Sequence, residues 1–480
     1  MKSTRQKDRL GRAVASLATA VVLGAWLASC HQESSRPDVL LVTIDTLRAD
    51  HCSAYGYPLP TTPTLEHLAA GGVRYARAYA ESSTTAPSHS VLMTGRHFRT
   101  LGVTKNGAVL PPDATTLAEA FQAGGYATAA FVSSFPLMQR FGFSQGFDNY
   151  DDAFVMDEAS LGRRKPGELP HDRLAGATRK HLERWLGSQS IAKPLFVWLH
   201  FVDPHAPYHA PEKFVAKWPP GTGASLQRYD AEVHYADEQL GLAIAALEKQ
   251  RPGREHLIVV TSDHGEGLGD HGWMSHGINL HEEAVRVPLI AKWPGHLPEG
   301  HVEEEAVGII DIAPGLLHMA GIDAKGFDHG RDLFAPPDAS RSIFLQRRDY
   351  KSAKEQGVTI GGEMTAVVSG GTKLILAPGE DRRELYDVKA DPHELTDLLA
   401  GPGGKAAPAA AGAARKKKKP MPAAPPPPAP SMTPAESETT AKRLEQLLAD
   451  WHQAFPAATK KDALEDKETL KALRSLGYVD

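Results

Sequence analysis

The chain has 480 residues, 41% of them apolar, and a formal net charge of −5. That length suits one large α/β core with an appendage, or two domains. The charge is too small for a global field that would recruit nucleic acid or an anionic membrane, so no nucleic-acid partner is expected and binding must come from local sites.

Lys2, Arg5, Lys7, Arg9 and Arg12 make a basic start to an apolar run from Ala13 to Ser29, the composition of a secretory signal. The run closes on Leu27, Ala28, Ser29 and Cys30, which resembles the bacterial lipobox. That resemblance implies lipidation at Cys30 and an exported lipoprotein of the cell envelope, held on a membrane surface by acyl chains without crossing it. A plain signal peptide and an uncleaved anchor are the alternatives. Cys52 is the other cysteine, so neither an intramolecular disulfide nor a thiolate zinc cluster is expected.

The β-branched, apolar run Asp38 to Ile44 reads as a buried parallel strand. Thr62 and Pro63 look like the cap and first-turn proline of a helix. Further strands are expected at Ala127 to Val132, Leu195 to Leu199, Leu257 to Thr261 and Val287 to Ala291, and a helix from Tyr229 to Leu247. Alternating strands and helices predict an α/β fold, with a mostly parallel central sheet covered by helices on both faces.

After about residue 335 the rhythm changes to short strand-like runs at Ser342 to Leu345, Met364 to Val368 and Lys373 to Leu376, expected to form a small C-terminal antiparallel subdomain. The expected organisation is a signal over 1–30, a catalytic domain over 36–335 and the subdomain over 336–400. A Pro/Ala/Lys-rich insertion over 401–433 follows, too poor in apolar residues to fold, and then a helical tail over 434–480. The basic run Arg415 to Lys419 inside the insertion reads as a solvated segment or as a contact for anionic polymer.

In a sheet of this kind the ligand site lies at the carboxyl ends of the strands. Asp45 follows the first strand; His200, Asp203 and His205 follow the strand at 195–199; Asp263 and His264 follow the strand at 257–261. Carboxylate oxygens and imidazole nitrogens gathered there are a suitable donor set for Zn, Mn or Ca, with Zn or Mn favoured by the imidazole.

The blocks VTIDTLRADHCSAYGY, TTAPSHSVLMTGR, HFVDPHAPY, SDHGEGLGDHG, HGINLHEEAVRVPLI and ELYDVKADPHE are similar, in order, to those of the sulfatase family of the alkaline phosphatase superfamily. They cover roughly residues 37 to 398. The resemblance implies that Asp45, Asp263 and His264 hold a metal, with the nucleophile two residues before Pro87. In the family that nucleophile is a Cys or Ser oxidised to formylglycine; here it is Thr85, which cannot become that aldehyde, so no formylglycine is expected. The arginine that usually follows the Pro-Ser pair is His89, and the usual Gly-Lys-Trp-His-Leu-Gly block is replaced by AAFVSSFPL. These departures are similar to relatives with an unmodified threonine, the phosphodiesterases and the phosphoethanolamine and glycerophosphate transferases.

The mechanism this implies uses a metal between Asp45, Asp263, His264 and Thr85 to activate the hydroxyl. Pro87, read as a helix start, adds backbone N–H groups able to face an anion. His205 and His276 are candidates for holding substrate oxygens, a second metal or the leaving-group proton. Asp203 and His200 are candidates to support them, and Asn106 and Lys105 to contact substrate. Thr84, Ser83 and Ser88 compete with Thr85 as nucleophile. His89, His271 and His281 read as structural or solvated, and the pairs Asp151–Asp152 and Glu282–Glu283 as polar loop features or supports.

The reading is a metal-dependent hydrolase cleaving a phosphate, phosphonate or sulfate ester of a small molecule, lipid or glycan. A true sulfuric ester hydrolase, a phosphoryl-group transferase and a non-catalytic binding protein are the alternatives.

Overall fold

The computed structural model describes residues 36–153, 174–218, 224–355, 358–400, 428–459 and 469. The expected leader with Cys30, the basic run at 415–419 and nearly all of the insertion lie outside these residues. Strands β1 (Asp38–Ile44), β2 (Val73–Tyr79), β3 (Ala127–Phe131), β4 (Asn149–Asp151), β5 (Leu195–Phe201), β6 (His256–Thr261), β7 (Arg286–Val287), β8 (Leu289–Lys292) and β9 (His301–Gly308) form one sheet, in the order β4-β3-β5-β1-β6-β8-β2-β7 with β9 on β2. From β4 to β6 every pairing is parallel.

The expected strand at 287–291 is broken at Pro288, and β8 runs antiparallel to β6. The edge pair β2 and β9 was not foreseen, because VRYARAY and HVEEEAVG carry charges that interrupt the apolar signal.

Alternate residues of β1 serve opposite faces: Val39 and Leu41 join one core, Leu40, Val42 and Ile44 the other. The helix Ala224–Gln250 packs with the helix Ala175–Leu186 on the second face. The helices Thr85–Thr94 and Ile312–Met319 cover the first. The helix Pro63–Ala70 begins after Thr62 as expected, but Thr62 does not cap it. Asp237 does, accepting from Thr64 N at 2.8 Å and Leu65 N at 3.0 Å, while the Thr62 hydroxyl bonds to Ser53 and Ala54.

Strands β10 (Ser342–Glu355), β11 (Val358–Ser369), β12 (Thr372–Ala377) and β13 (Arg382–Asp387) form an antiparallel meander. One face packs Leu345, Met364, Ala366 and Ile375 on Leu280, Ala284 and Val285 of the main body. The other face, with Val367, Leu374 and Leu385, takes Leu444, Leu448 and Trp451 of the helix Pro434–Ala454. That helix opens with a capping box between Thr433 and Glu436 and ends at Ala454. Among the described residues no helix is long and apolar enough to cross a membrane.

Candidate active site

The parallel pairing of β1 with β5 and β6 brings three strand ends together. Asp45 leaves β1, His200 lies within β5, and Asp263 and His264 follow β6. One ligand atom from each of Asp45, Asp263 and His264 falls within 4.8 Å of the others, and all three residues are fully buried. His264 Nε2 stands 3.8 Å from Asp45 Oδ1 and 3.4 Å from Asp263 Oδ2, and His200 Nε2 stands 3.7 Å from Asp45 Oδ2.

Asp263 Oδ1 accepts from the backbone N–H groups of Thr46 and His264. Asp263 Oδ2 and both oxygens of Asp45 have no hydrogen-bond partner among the described residues. Burial, then the charges of Asp263 and Glu266, hold the Asp45 carboxyl well above its ordinary range. The cost of leaving such atoms unpaired is about 1–3 kcal/mol each, more when charged, so the arrangement is expensive in the absence of a cation.

Thr85 opens the helix Thr85–Thr94, and its hydroxyl lies 3.3 Å from His264 Nε2. Two of the three competing hydroxyls point elsewhere: Ser83 donates to Asn279 O and Ser88 to Ser82 O. The helix starts two residues before Pro87, and the N–H of Ala86 is already taken by Asn106 Oδ1 at 2.8 Å. That N–H therefore does not face an anion. Asn106 fixes the turn at Thr85 and Ala86, and Lys105 beside it is half-buried. His89 receives a structural place between Thr85 O (2.9 Å) and Thr43 Oγ1 (3.1 Å), with Asp263 Oδ2 at 3.6 Å.

Above this floor sit His205 and His276, both half-buried, with ring centroids 5.0 Å apart; the His276 ring is 4.5 Å from that of His264. Burial, then the neighbouring His276, pushes His264 down to about 3, and the same two causes push His205 down to about 3, so both rings stay neutral. Burial also works against charge on His276, but the Glu266 carboxylate 3.3 Å from Nδ1 outweighs it and raises the group above its ordinary value. Asp203 lies aside from these rings, accepting from Ala175 N at 2.8 Å at the start of the helix Ala175–Leu186.

Two residues here were not singled out from the sequence. Glu266, in the DHGEG run, also accepts from the Tyr208 hydroxyl. Arg48, buried to 2% exposure, donates to the carbonyls of Glu266 and Gly267 and pairs with Asp50 and Asp270, pinning the loop that carries His264 and Glu266. The loop packs so closely that a side chain at Gly265 would meet Glu283 O at 1.9 Å. The carboxylate in DHGEG was a usable signal; the role of Arg48 depends on a distant partner that no local motif reveals.

The sulfatase family model matches residues 37–322, well over half of the chain. The chain belongs to the sulfatase family. This sulfatase is accordingly a hydrolase of sulfate or phosphate esters. Residues 269–409 match a second family model, described as N-sulphoglucosamine sulphohydrolase, C-terminal.

Among curated relatives, human arylsulfatase A is 27% identical over 436 residues, covering 77% of this chain and 84% of its own. The N-acetylglucosamine-6-O-sulfatase of Bacteroides thetaiotaomicron is 24% identical, covering 78% and 85%. The crystal structure of the phosphonate monoester hydrolase of Agrobacterium radiobacter superposes with a TM-score of 0.61 at 23% identity, covering 76% and 92%, a likeness of fold.

Proposed function

We propose that this sulfatase cleaves a phosphate, phosphonate or sulfate ester of a small molecule, lipid or glycan through a covalent ester on Thr85. The observation that carries the reading is the approach of the Thr85 hydroxyl to His264, beside three buried carboxylate oxygens that lack hydrogen-bond partners. Two carboxylates and a neutral imidazole suit a divalent cation, Zn or Mn before Ca. Asp45, Asp263 and His264 would hold such an ion, which would lower the pKa of a neighbouring hydroxyl and offset the charge of the ester.

Thr85 Oγ1, its proton released to solvent, attacks the central phosphorus or sulfur, forming one oxygen bond as the bond to the leaving oxygen breaks. His276, whose protonated form Glu266 favours, gives its proton to that oxygen, and in the second half it takes one from the water that releases Thr85. His205, neutral beside it, is suited to orient the substrate. Asn106 acts on the nucleophile by holding the turn, and Lys105 meets the anionic part of the substrate.

Phosphorus esters are favoured because threonine cannot supply the family's aldehyde. The names of the curated relatives favour sulfate as a second reading. Export and a lipid anchor at Cys30 complete the proposal and place the reaction at an envelope membrane surface.

The test is turnover by the purified chain, supplied separately with Zn, Mn and Ca, of matched aryl sulfate, phosphate monoester, phosphate diester and phosphonate monoester. Thr85→Ala should lower turnover of the preferred ester on the order of 10³-fold or more with the fold intact. An unchanged rate sinks the threonine mechanism, and product appearing on an added alcohol faster than free acid moves the reading to transfer.

A further inference from the structure

Behind the active-site loop lies a second cluster, built from residues that read singly as structural. His271 belongs to the loop after β6, His281 precedes the short helix Glu282–Val285, and Glu394 follows β13. One ligand atom from each falls within 4.8 Å of the others. The two imidazoles stack, with centroids 3.8 Å apart and planes inclined by 6°.

Each ring is oriented by a carboxylate: His271 Nδ1 lies 3.0 Å from Glu283 Oε2, and His281 Nε2 lies 3.2 Å from Glu384 Oε2. Carboxylates hold metal-binding imidazoles in this way. His281 is fully buried, and its other nitrogen, Nδ1, has no hydrogen-bond partner among the described residues. His271 Nε2 bonds to the carbonyl oxygen of Glu394, a residue held at φ +52°. A non-glycine residue in that region costs free energy and is found where the surroundings over-determine it.

Charge points the same way. Glu282, Glu283, Glu384 and Glu394 are all buried. Among the described residues the permanent cations paired with them are Lys373, bridging Glu282 and Glu394 at 3.1 Å each, and Arg382 on Glu384. Burial works against charge on His271, but Glu283 outweighs it and raises the group to about 9, so the His271 proton is the third positive charge, the one a divalent cation would replace.

We infer that His271, His281 and Glu394 form a second divalent-cation site, distinct from the one beside Thr85, that fastens the catalytic loop to the four-stranded sheet. Two imidazoles and one carboxylate suit zinc in particular. Zinc ligands stand about 3–3.5 Å apart at bond lengths near 2.1 Å, so binding draws the three groups together and opens the ring stack. The ion displaces the proton between His271 Nε2 and the Glu394 carbonyl, and takes up the unpartnered His281 Nδ1.

The test is metal stoichiometry. The full chain, stripped with chelator and checked by circular dichroism, is titrated with Zn²⁺ or Co²⁺, and bound ion is counted by elemental analysis. Wild type should bind two equivalents, Asp263→Asn one, and His281→Phe one, since phenylalanine keeps the stacked ring and removes the donor. The double variant should bind none. Zn²⁺ should raise the Tm of Asp263→Asn by several degrees and leave the double variant unmoved. His271→Gln supplies the same count should His281→Phe fail to fold. One equivalent lost in Asp263→Asn but kept in His281→Phe overturns this site and spares the catalytic one; the reverse pattern retains it and removes the other.

Discussion

Two buried polar regions of this sulfatase are built on opposite principles. At the ends of β1 and β6, Asp45 and Asp263 gather three carboxylate oxygens that have no hydrogen-bond partner among the described residues. On the meander, Lys373 reaches Glu282 and Glu394, Arg347 meets Glu380, and the apolar side of β11, β12 and β13 is sealed by Leu444, Leu448 and Trp451. The first region spends stability to keep a receptive anionic floor, and the second supplies rigidity. Substitutions in the two should therefore differ in sign as well as size.

The largest expected effect is on chemistry. His276→Ala should lower kcat by about 10²- to 10⁴-fold while leaving Tm within a degree or two. Because Glu266 raises His276 above the ordinary histidine value, its acid form should persist to higher pH than that of a free imidazole. The alkaline limb of the kcat profile should thus lie above pH 6.5, and Glu266→Gln should move it downwards. A limb that does not move separates Glu266 from the proton transfer.

Next comes the sealed face. Leu448→Ala should cost about 2–5 kcal/mol in urea unfolding, as the helix loses its central contact with Leu374 and Leu385. Smaller and opposite in sign, Asp45→Asn should stabilise the metal-stripped chain by about 1–3 kcal/mol, because it removes a charge from a buried, unpaired pair. Added metal should abolish or reverse that gain. A metal-free Asp45→Asn less stable than wild type would erase the contrast between the regions.

The smallest effect is set by pH. His97, packed edge-on against Trp451 and Phe455 at the foot of the same helix, is driven by burial, then by His329, down to about 3. Its folded value is depressed, so its contribution is fully present above the unfolded value near 6.5 and is lost as pH falls from there through about 3. The loss is at most about 1.4 kcal/mol per pH unit. Urea titrations at pH 7 and 5 should show it, and His97→Gln should flatten the dependence.

Legibility in the sequence followed the range of the interactions. β1, β5 and β6 are continuous apolar runs because both faces are covered, and the antiparallel meander announced itself as short alternating runs. β2 and β9 did not, since a sheet edge tolerates charge. Asp45, Thr85, Asp263 and His264 stood out because each sits in a recognisable block, and the fold brings them together. Glu266, Arg48 and the His271–His281 pair gain their meaning from Tyr208, Asp270, Glu384 and Glu394, contacts that exist only once distant segments have met.

The register of β1 also has a consequence in time. Val39 lies between Phe196 on one side and Leu257 on the other, so the central strand emerges early in synthesis and waits for both neighbours. Loop closure over such spans is slow, which makes late assembly the rule for topologies of this kind. A nascent chain that has not yet delivered β6 holds Asp45 and Thr85 but neither Asp263 nor His264, and so carries the proposed nucleophile without its proposed activating partners. Catalytic competence should appear only after the later strands dock, leaving the partly made chain chemically inert.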